Sequence, residues 1–167
     1  MNVCPQISLV PLKEAPLITT ADLKELAFSI WKDPTRAQSA LDSFIRTLTI
    51  GECDHSQYYL IKRANQLVGI IGHFEFSHTD QIIGLTWSGV IATHQKKGIY
   101  KEALNLLSTV IKTQYPYALY LEELVPLGTS HDAVIPPFLK LGFKLYGQHV
   151  DTNPLFNGAT ILRRTLC

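Results

Sequence analysis

The stretch Val90-Ile91-Ala92-Thr93-His94-Gln95-Lys96-Lys97-Gly98-Ile99-Tyr100 decides how this chain is read. It starts at the end of an apolar run and finishes where helical spacing takes over, with Ala103, Leu104, Leu107, Val110 and Ile111 on one face. A strand that runs into a short polar loop and then a helix N-terminus makes an anion site. The first helical turn leaves backbone N–H groups without intrahelical acceptors, and the helix dipole adds partial positive charge there. Gly98 has no Cβ to keep a phosphate off the backbone, and Lys96, Lys97 and Lys101 add charge around it. Neither the dinucleotide pattern G-x-G-x-x-G nor the Walker pattern occurs.

Upstream, residues 57–62, 67–76 and 82–91 are rich in Ile, Val, Tyr and Phe, and the separators 63–66 and 77–81 have turn composition. They read as an antiparallel meander, in which Gly69 and Gly72 suggest a bulge or a close backbone approach. Before them, residues 7–10 make a short strand ended by Pro11. Thr20-Ala21-Asp22 opens a helix with Leu23, Leu26, Ala27 and Ile30 at helical spacing. Asp33-Pro34 starts a second, since Asp caps well and Pro suits the first helical position; its apolar face is Ala37, Leu41, Phe44, Ile45 and Leu48.

Downstream, a helix spans 99 to about 113 and a strand spans 118–125. Thr129-Ser130 caps a helix running to Leu141, with Asp132 in its first turn and Gly142 as its C′ residue. Pro136 and Pro137 should kink or delay it. Residues 143–148 and 159–164 are late strands. The order predicts an α/β (α+β) fold in one domain, residues 1–167: a mixed, mostly antiparallel central sheet with helices on both faces.

The 167 residues carry a formal charge of +1, with 46% hydrophobic and 17% charged residues, which is globular and offers nucleic acid no basic field. Cys4, Cys53 and Cys167 are far apart and form no C-x-x-C, so a thiolate zinc site is not expected and reduced thiols in a cytoplasmic protein are. Met1 to Pro11 lacks the charge and apolar core of a secretory signal, and no run approaches the ~18 apolar residues of a membrane span.

The opening stretch resembles the signature V-x-P-x-x-[QR]-x-x-G-x-[GA] of the GNAT superfamily of N-acetyltransferases. Phe138-Leu139-Lys140-Leu141-Gly142-Phe143 is similar to that family's Y-x-K-x-G-F. The match covers roughly residues 57–148, with both motifs in the right order and a strand between them. The resemblance implies a GNAT-like domain using acetyl-CoA as co-substrate. The amides of Gln95, Lys96, Lys97, Gly98, Ile99 and Tyr100 would cradle the pyrophosphate, with Lys101 beside them. The pantetheine would lie between strands 82–91 and 118–125, which splay apart in the family, and pair with the backbone of Ser88, Gly89, Val90 and Ile91 as another strand would. A backbone N–H near Ser88 to Val90 would polarise the thioester carbonyl.

The departures from the family pattern bear on chemistry. Ala92 replaces the proline, and Tyr100 the final small residue. His131 stands where many members have an Asn that contacts the pantetheine. Phe138 stands where a Tyr often protonates the leaving thiolate, and Phe has no proton to give. A thiol's reference pKa near ~8.5 lets the thiolate leave unassisted near neutral pH.

Aminolysis of a thioester needs a neutral amine and a proton acceptor. Glu122, in a pattern resembling members with a catalytic Glu on this strand, is one candidate. Glu75, alone in an apolar run where its carboxylate is expected to be partly desolvated and its pKa raised, is the other. His73 reads as a partly buried histidine rather than a metal ligand, and no H-x-x-x-H or H-E-x-x-H is present, so no metal is expected. Trp31, Tyr58, Tyr59, Trp87 and Tyr120 could line an acceptor site. The expected activity is direct acetyl transfer in a ternary complex to a primary amine of a small amine, amino sugar or peptide. The alternative is a GNAT-like acyl-CoA-binding sensor or interaction module without efficient turnover, motivated by His131 and Phe138. A homodimer through the late strands is also expected.

Overall fold

The computed structural model describes residues 6–15, 17–49, 55–127, 131–149 and 158–166. The elements are β1 Ile7–Pro11, α1 Thr20–Ile30, α2 Pro34–Thr49, β2 Ser56–Arg63, β3 Gln66–Glu75, β4 Ile82–Val90, α3 Ile99–Gln114, β5 Tyr120–Pro126, α4 His131–Lys140, β6 Lys144–His149 and β7 Ala159–Thr165. The described strands form one sheet in the order β1-β2-β3-β4-β5-β7-β6. β4 and β5 pair in parallel at Ile82↔Tyr120, Ile83↔Leu121 and Gly84↔Glu122, whereas β1–β2, β2–β3, β5–β7 and β6–β7 are antiparallel. The sheet is therefore mixed and mostly antiparallel, as the order of elements predicted. Among the described residues no helix is long and apolar enough to cross a membrane. By contacts the chain divides into two compact units, residues 1–74 with 86–109 and residues 75–85 with 110–167.

In the first unit, α1 opens at Thr20, as the sequence suggested. Thr19 is the N-cap: its hydroxyl accepts from the Asp22 amide at 3.1 Å, and the Asp22 carboxylate accepts from the Thr19 amide at 2.8 Å. The Thr19 hydroxyl, donating to the Asp22 carboxylate at 2.6 Å, and then the Thr19 amide hold the Asp22 carboxyl below the usual carboxylate range. Asp33 caps α2 as expected, accepting from the Arg36 amide at 2.9 Å. The buried face of α2 is Ala37, Ala40, Leu41, Phe44 and Thr47, and Leu48 is turned to solvent at 39% exposure. Thr47 can take the inward place because its hydroxyl donates to the Ser43 carbonyl at 3.0 Å. Leu12, Leu23, Leu26, Leu41, Phe44, Tyr58, Leu60 and Ile70 close the core.

The β2–β3 connection is tighter than the predicted separator. Ala64 and Asn65 alone make it, with φ of 46° and 66°, the left-handed pair that a two-residue hairpin loop needs. Gly69 and Gly72 satisfy both halves of the expectation. The β2–β3 register shifts between Ile61 and Lys62, opposite Gly69 and Leu67, so Val68 is the extra residue of a bulge. A Cβ on Gly69 would overlap the Gly89 carbonyl oxygen, and one on Gly72 would meet the Tyr58 ring.

In the second unit β5 begins at Tyr120 rather than at residue 118, and its alternation buries Leu121 and Val125. The predicted cap at Thr129-Ser130 lies outside the described residues. α4 is continuous from His131 to Lys140 through Pro136 and Pro137, the residues expected to kink or delay it. Each proline, in the middle of the helix, removes one i→i−4 donor, and the remaining bonds carry the turn. Its C-terminus is a Schellman motif: the Gly142 amide donates to the Leu139 carbonyl at 3.1 Å and the Phe143 amide to the Phe138 carbonyl at 3.1 Å, with Gly142 at φ 88°. Phe138 and Phe143 supply the accompanying apolar contact, edge to face at 5.2 Å. A Cβ on Gly142 would meet nothing nearer than Arg164 Nε at 4.0 Å, so Gly142→Ala is strained by its backbone alone. It should lower stability by about 1–2 kcal/mol in a denaturant titration.

Candidate functional site

The end of β4, the loop and the first turns of α3, residues 86–109, lie in the first unit. At the end of β4, Val90 is buried, the Ile91 amide donates to the Val68 carbonyl at 3.0 Å, and the chain turns through a short 3-10 segment at Ala92–His94. Gln95 folds its side chain back, Nε2 donating to the Val90 carbonyl at 2.9 Å. Lys97 Nζ donates to the Thr93 carbonyl at 2.9 Å. These two side chains brace the loop against the strand from which it springs.

Lys96 and Gly98 then take left-handed φ values of 61° and 77° on either side of Lys97. Such alternation of φ sign turns successive amides to one side, the concave arrangement that binds anions. Gly98 is the N-cap of α3, its carbonyl accepting from the Glu102 amide at 3.1 Å. Ile99 is buried at 3% exposure and pins the first turn. Among the described residues, the amides of Lys96, Lys97, Gly98, Ile99 and Lys101 donate to no carbonyl of the protein. Gly98 faces open space, with no atom within 4 Å of where a Cβ would stand. Tyr100 is half-buried, and Lys96 and Lys101 are exposed.

β4 itself is shaped by Ser88, whose hydroxyl donates to the Thr86 carbonyl at 2.7 Å and accepts from the Gly72 amide at 3.3 Å. A side chain thus takes a main-chain donor of β3. Gly89 lies against Ile30 of α1, where a Cβ would overlap the Ile30 Cγ2. Because the Ile91 amide is engaged by β3, strand alternation directs the Ser88 and Val90 amides to the opposite edge. Of the four residues expected to pair with a pantetheine, only Ser88 and Val90 present amides to that edge.

The two candidate bases belong to the second unit. Glu122 is buried at 6% exposure and accepts from Arg163 Nε on Oε2 at 2.6 Å, the two being cross-strand partners on β5 and β7. Burial opposes the charge on Arg163, but Glu122 and Tyr146 hold its pKa above the usual arginine value. Glu75 is exposed and accepts from the Tyr115 hydroxyl at 2.7 Å. The expected desolvation of Glu75 fails because it is the last residue of β3, where the apolar run has already left the interior. His131 opens α4, and Phe138 is half-buried in the C-cap contact described above.

His73 is not partly but fully buried, at 0% exposure, with its ring stacked on Tyr59 at 5.9 Å. Burial pushes its pKa down to about 4, so it is neutral at ordinary pH. No group of three or more His, Cys, Asp or Glu among the described residues is placed to hold a metal ion. The aromatics expected at an acceptor site are divided: Tyr58 and Tyr59 are core, and Trp31 packs edge to face on Trp87 at 5.5 Å. Tyr120 lines a groove of about 190 Å³ in the second unit.

Two features escaped the sequence reading. One is a cleft of about 300 Å³ in the first unit lined by Asp22, Glu25, Leu26, Ser29, Gln66, Leu67 and Ile91. The other is Arg163, for which the like-charged pairs Glu122-Glu123 and Arg163-Arg164 on neighbouring strands were the available signal.

No protein-family profile and no curated sequence matches the chain. Solved structures do. A GNAT-family protein from Desulfovibrio desulfuricans superposes with a TM-score of 0.79 at 12% identity, covering 97% of this chain and 100% of that one. An aminoglycoside 6'-acetyltransferase type Ii gives 0.71 at 16% identity over 97% of both chains. A dodecameric spermidine N-acetyltransferase from Vibrio cholerae gives 0.62 at 13% identity over 96% and 94%. The likeness extends over essentially the whole of each chain, so this protein has the GNAT acetyltransferase fold.

Proposed function

We propose that the chain is a single GNAT-type domain acting as an acetyl-CoA-dependent N-acetyltransferase on a primary amine, by direct transfer in a ternary complex. The observation that carries the reading is the run of amides from Lys96 to Ile99 with no carbonyl acceptor among the described residues, grouped at the N-terminus of a 16-residue helix with open space over Gly98. Such a terminus favours the pyrophosphate of coenzyme A through directed N–H groups and the helix dipole together. Lys96 and Lys101 add screened surface attraction.

The chemistry follows from what a thioester needs. The amine nitrogen attacks the carbonyl carbon, and the Ser88 or Val90 amide donates to the oxygen as negative charge gathers there. The C–S bond breaks, the thiolate leaves with the electron pair, and the ammonium proton passes to a base or to water. Glu122 and Glu75 stay the two candidate carboxylates, each with one oxygen already accepting a hydrogen bond, from Arg163 and from Tyr115. Phe138 supplies no acid. The fold neighbours named for spermidine and aminoglycosides support a small polyamine or amino sugar as acceptor. Self-association belongs to the reading for the same reason, one neighbour being dodecameric by its name, and sedimentation checks it.

Calorimetry should register saturable binding of acetyl-CoA. No heat and no thermal shift with millimolar acetyl-CoA would remove the assignment. A second reading, binding without turnover, is favoured by Phe138 serving the helix cap instead of an acid. Thiol release measured across amines, aminoglycosides and peptides separates the two, because turnover with any acceptor removes the second.

A further inference from the structure

We infer that the groove of the second unit formed by β5, β7 and β6 is a binding site for a small aromatic carboxylate, independent of the acetyl-transfer reading. It measures about 190 Å³ and is lined by Tyr120, Lys144, Leu145, Tyr146, Arg163 and Thr165. The registers Glu122↔Arg163 and Lys144↔Arg163 place these three side chains in one row across three strands, and Tyr120↔Thr165 lies beside it.

Arg163 is the centre of the site. Buried Glu122 takes its Nε at 2.6 Å, and the Tyr146 ring covers one face with the Arg163 Cζ 3.6 Å from its centroid. Tyr146 reaches it because it is the extra residue where the β6 register shifts between Leu145 and Gly147. A guanidinium held on its Nε edge and stacked on a ring is preorganised, and its terminal nitrogens form the planar fork that matches a carboxylate. Glu122 offsets the charge of Arg163, so Lys144 leaves the groove singly positive, which suits a monoanion better than a phosphate dianion above a buried carboxylate. Exposed rings at Tyr120 (37%) and Tyr146 (64%), with Leu145 at 65%, offer a planar apolar body two aromatic surfaces and an aliphatic one. The volume is below the ~300 Å³ at which drug-sized pockets begin, which points to a single ring. The break at Tyr146 and the charge of Lys144 both oppose pairing of this edge with another strand, so the occupant is a ligand and not a second copy.

Benzoate titrated into the full chain, followed by amide shifts in two-dimensional NMR spectra, tests the site. Saturable shifts are expected at Tyr120, Lys144, Tyr146 and Arg163. Arg163→Lys keeps the charge but loses the fork, and should weaken binding about tenfold. Tyr146→Leu, which leaves the Glu122–Arg163 pair in place, should weaken it in the same direction, guarding against a folding defect in the first variant. Benzyl alcohol, the neutral analogue, should not saturate. Equal binding of benzyl alcohol, or no benzoate shifts in the groove in the millimolar range, would overturn the proposal. So would shifts there that follow protein concentration alone, which would mark a contact between copies.

Discussion

Gly98→Pro is expected to weaken acetyl-CoA binding by about 100-fold, the equivalent of one or two charge-assisted hydrogen bonds. Proline holds φ near −65° and carries no N–H, whereas Gly98 sits at φ 77° at the head of the anion loop. The substitution removes one donor and turns its neighbours away from a common centre. α3 should survive, because Ile99 still buries its side chain and proline is tolerated at a helix start. Gly98→Ala is the informative partner. Nothing lies within 4 Å of its Cβ, so it brings only the left-handed strain of about 1–2 kcal/mol while keeping the amide. Calorimetry should rank the affinities wild type, Gly98→Ala, Gly98→Pro. Equal affinity in all three would show that the cofactor binds elsewhere.

The second large effect is on stability in acid, through His73. Its folded-state pKa is about 4 against an ordinary value of 6.5, because burial disfavours the cation. The unfolded chain therefore takes up a proton as pH falls through about 6.5, while the folded chain stays neutral until about 4. Stability from this group is complete above pH 7 and declines between those two values. The full decline is on the order of 3 kcal/mol at 1.36 kcal/mol per pH unit. Unfolding titrations at pH 7 and pH 5, ahead of most carboxylate protonation, should show about 2 kcal/mol of loss in the wild type and much less in His73→Leu. An identical slope in the two proteins would contradict the assignment.

What could be read from the sequence was what is local to it. Asp33-Pro34 start α2, Gly142 ends α4 and Gly98 heads α3 because caps and left-handed positions depend on a few consecutive residues. Leu48 was misplaced because spacing alone does not say where an apolar stripe stops, and Thr47 met its own hydrogen-bonding need within the helix. Glu75 looked desolvated because a one-dimensional run does not mark where a strand leaves the interior. The Glu122–Arg163 pair joins residues 41 apart in the chain, and only the β5–β7 register brings them together. Phe138 shows the converse: judged against a family motif it is a missing acid, yet its ring has a local task at the helix C-cap.

The central claim is that amides at the head of α3 hold the pyrophosphate of coenzyme A, and an amide-shift titration of the labelled protein with coenzyme A tests it most directly. The largest shifts should fall on Lys96, Lys97, Gly98 and Ile99, with Ser88 and Val90 following. Shifts confined to other parts of the chain, or none with millimolar coenzyme A, would contradict it.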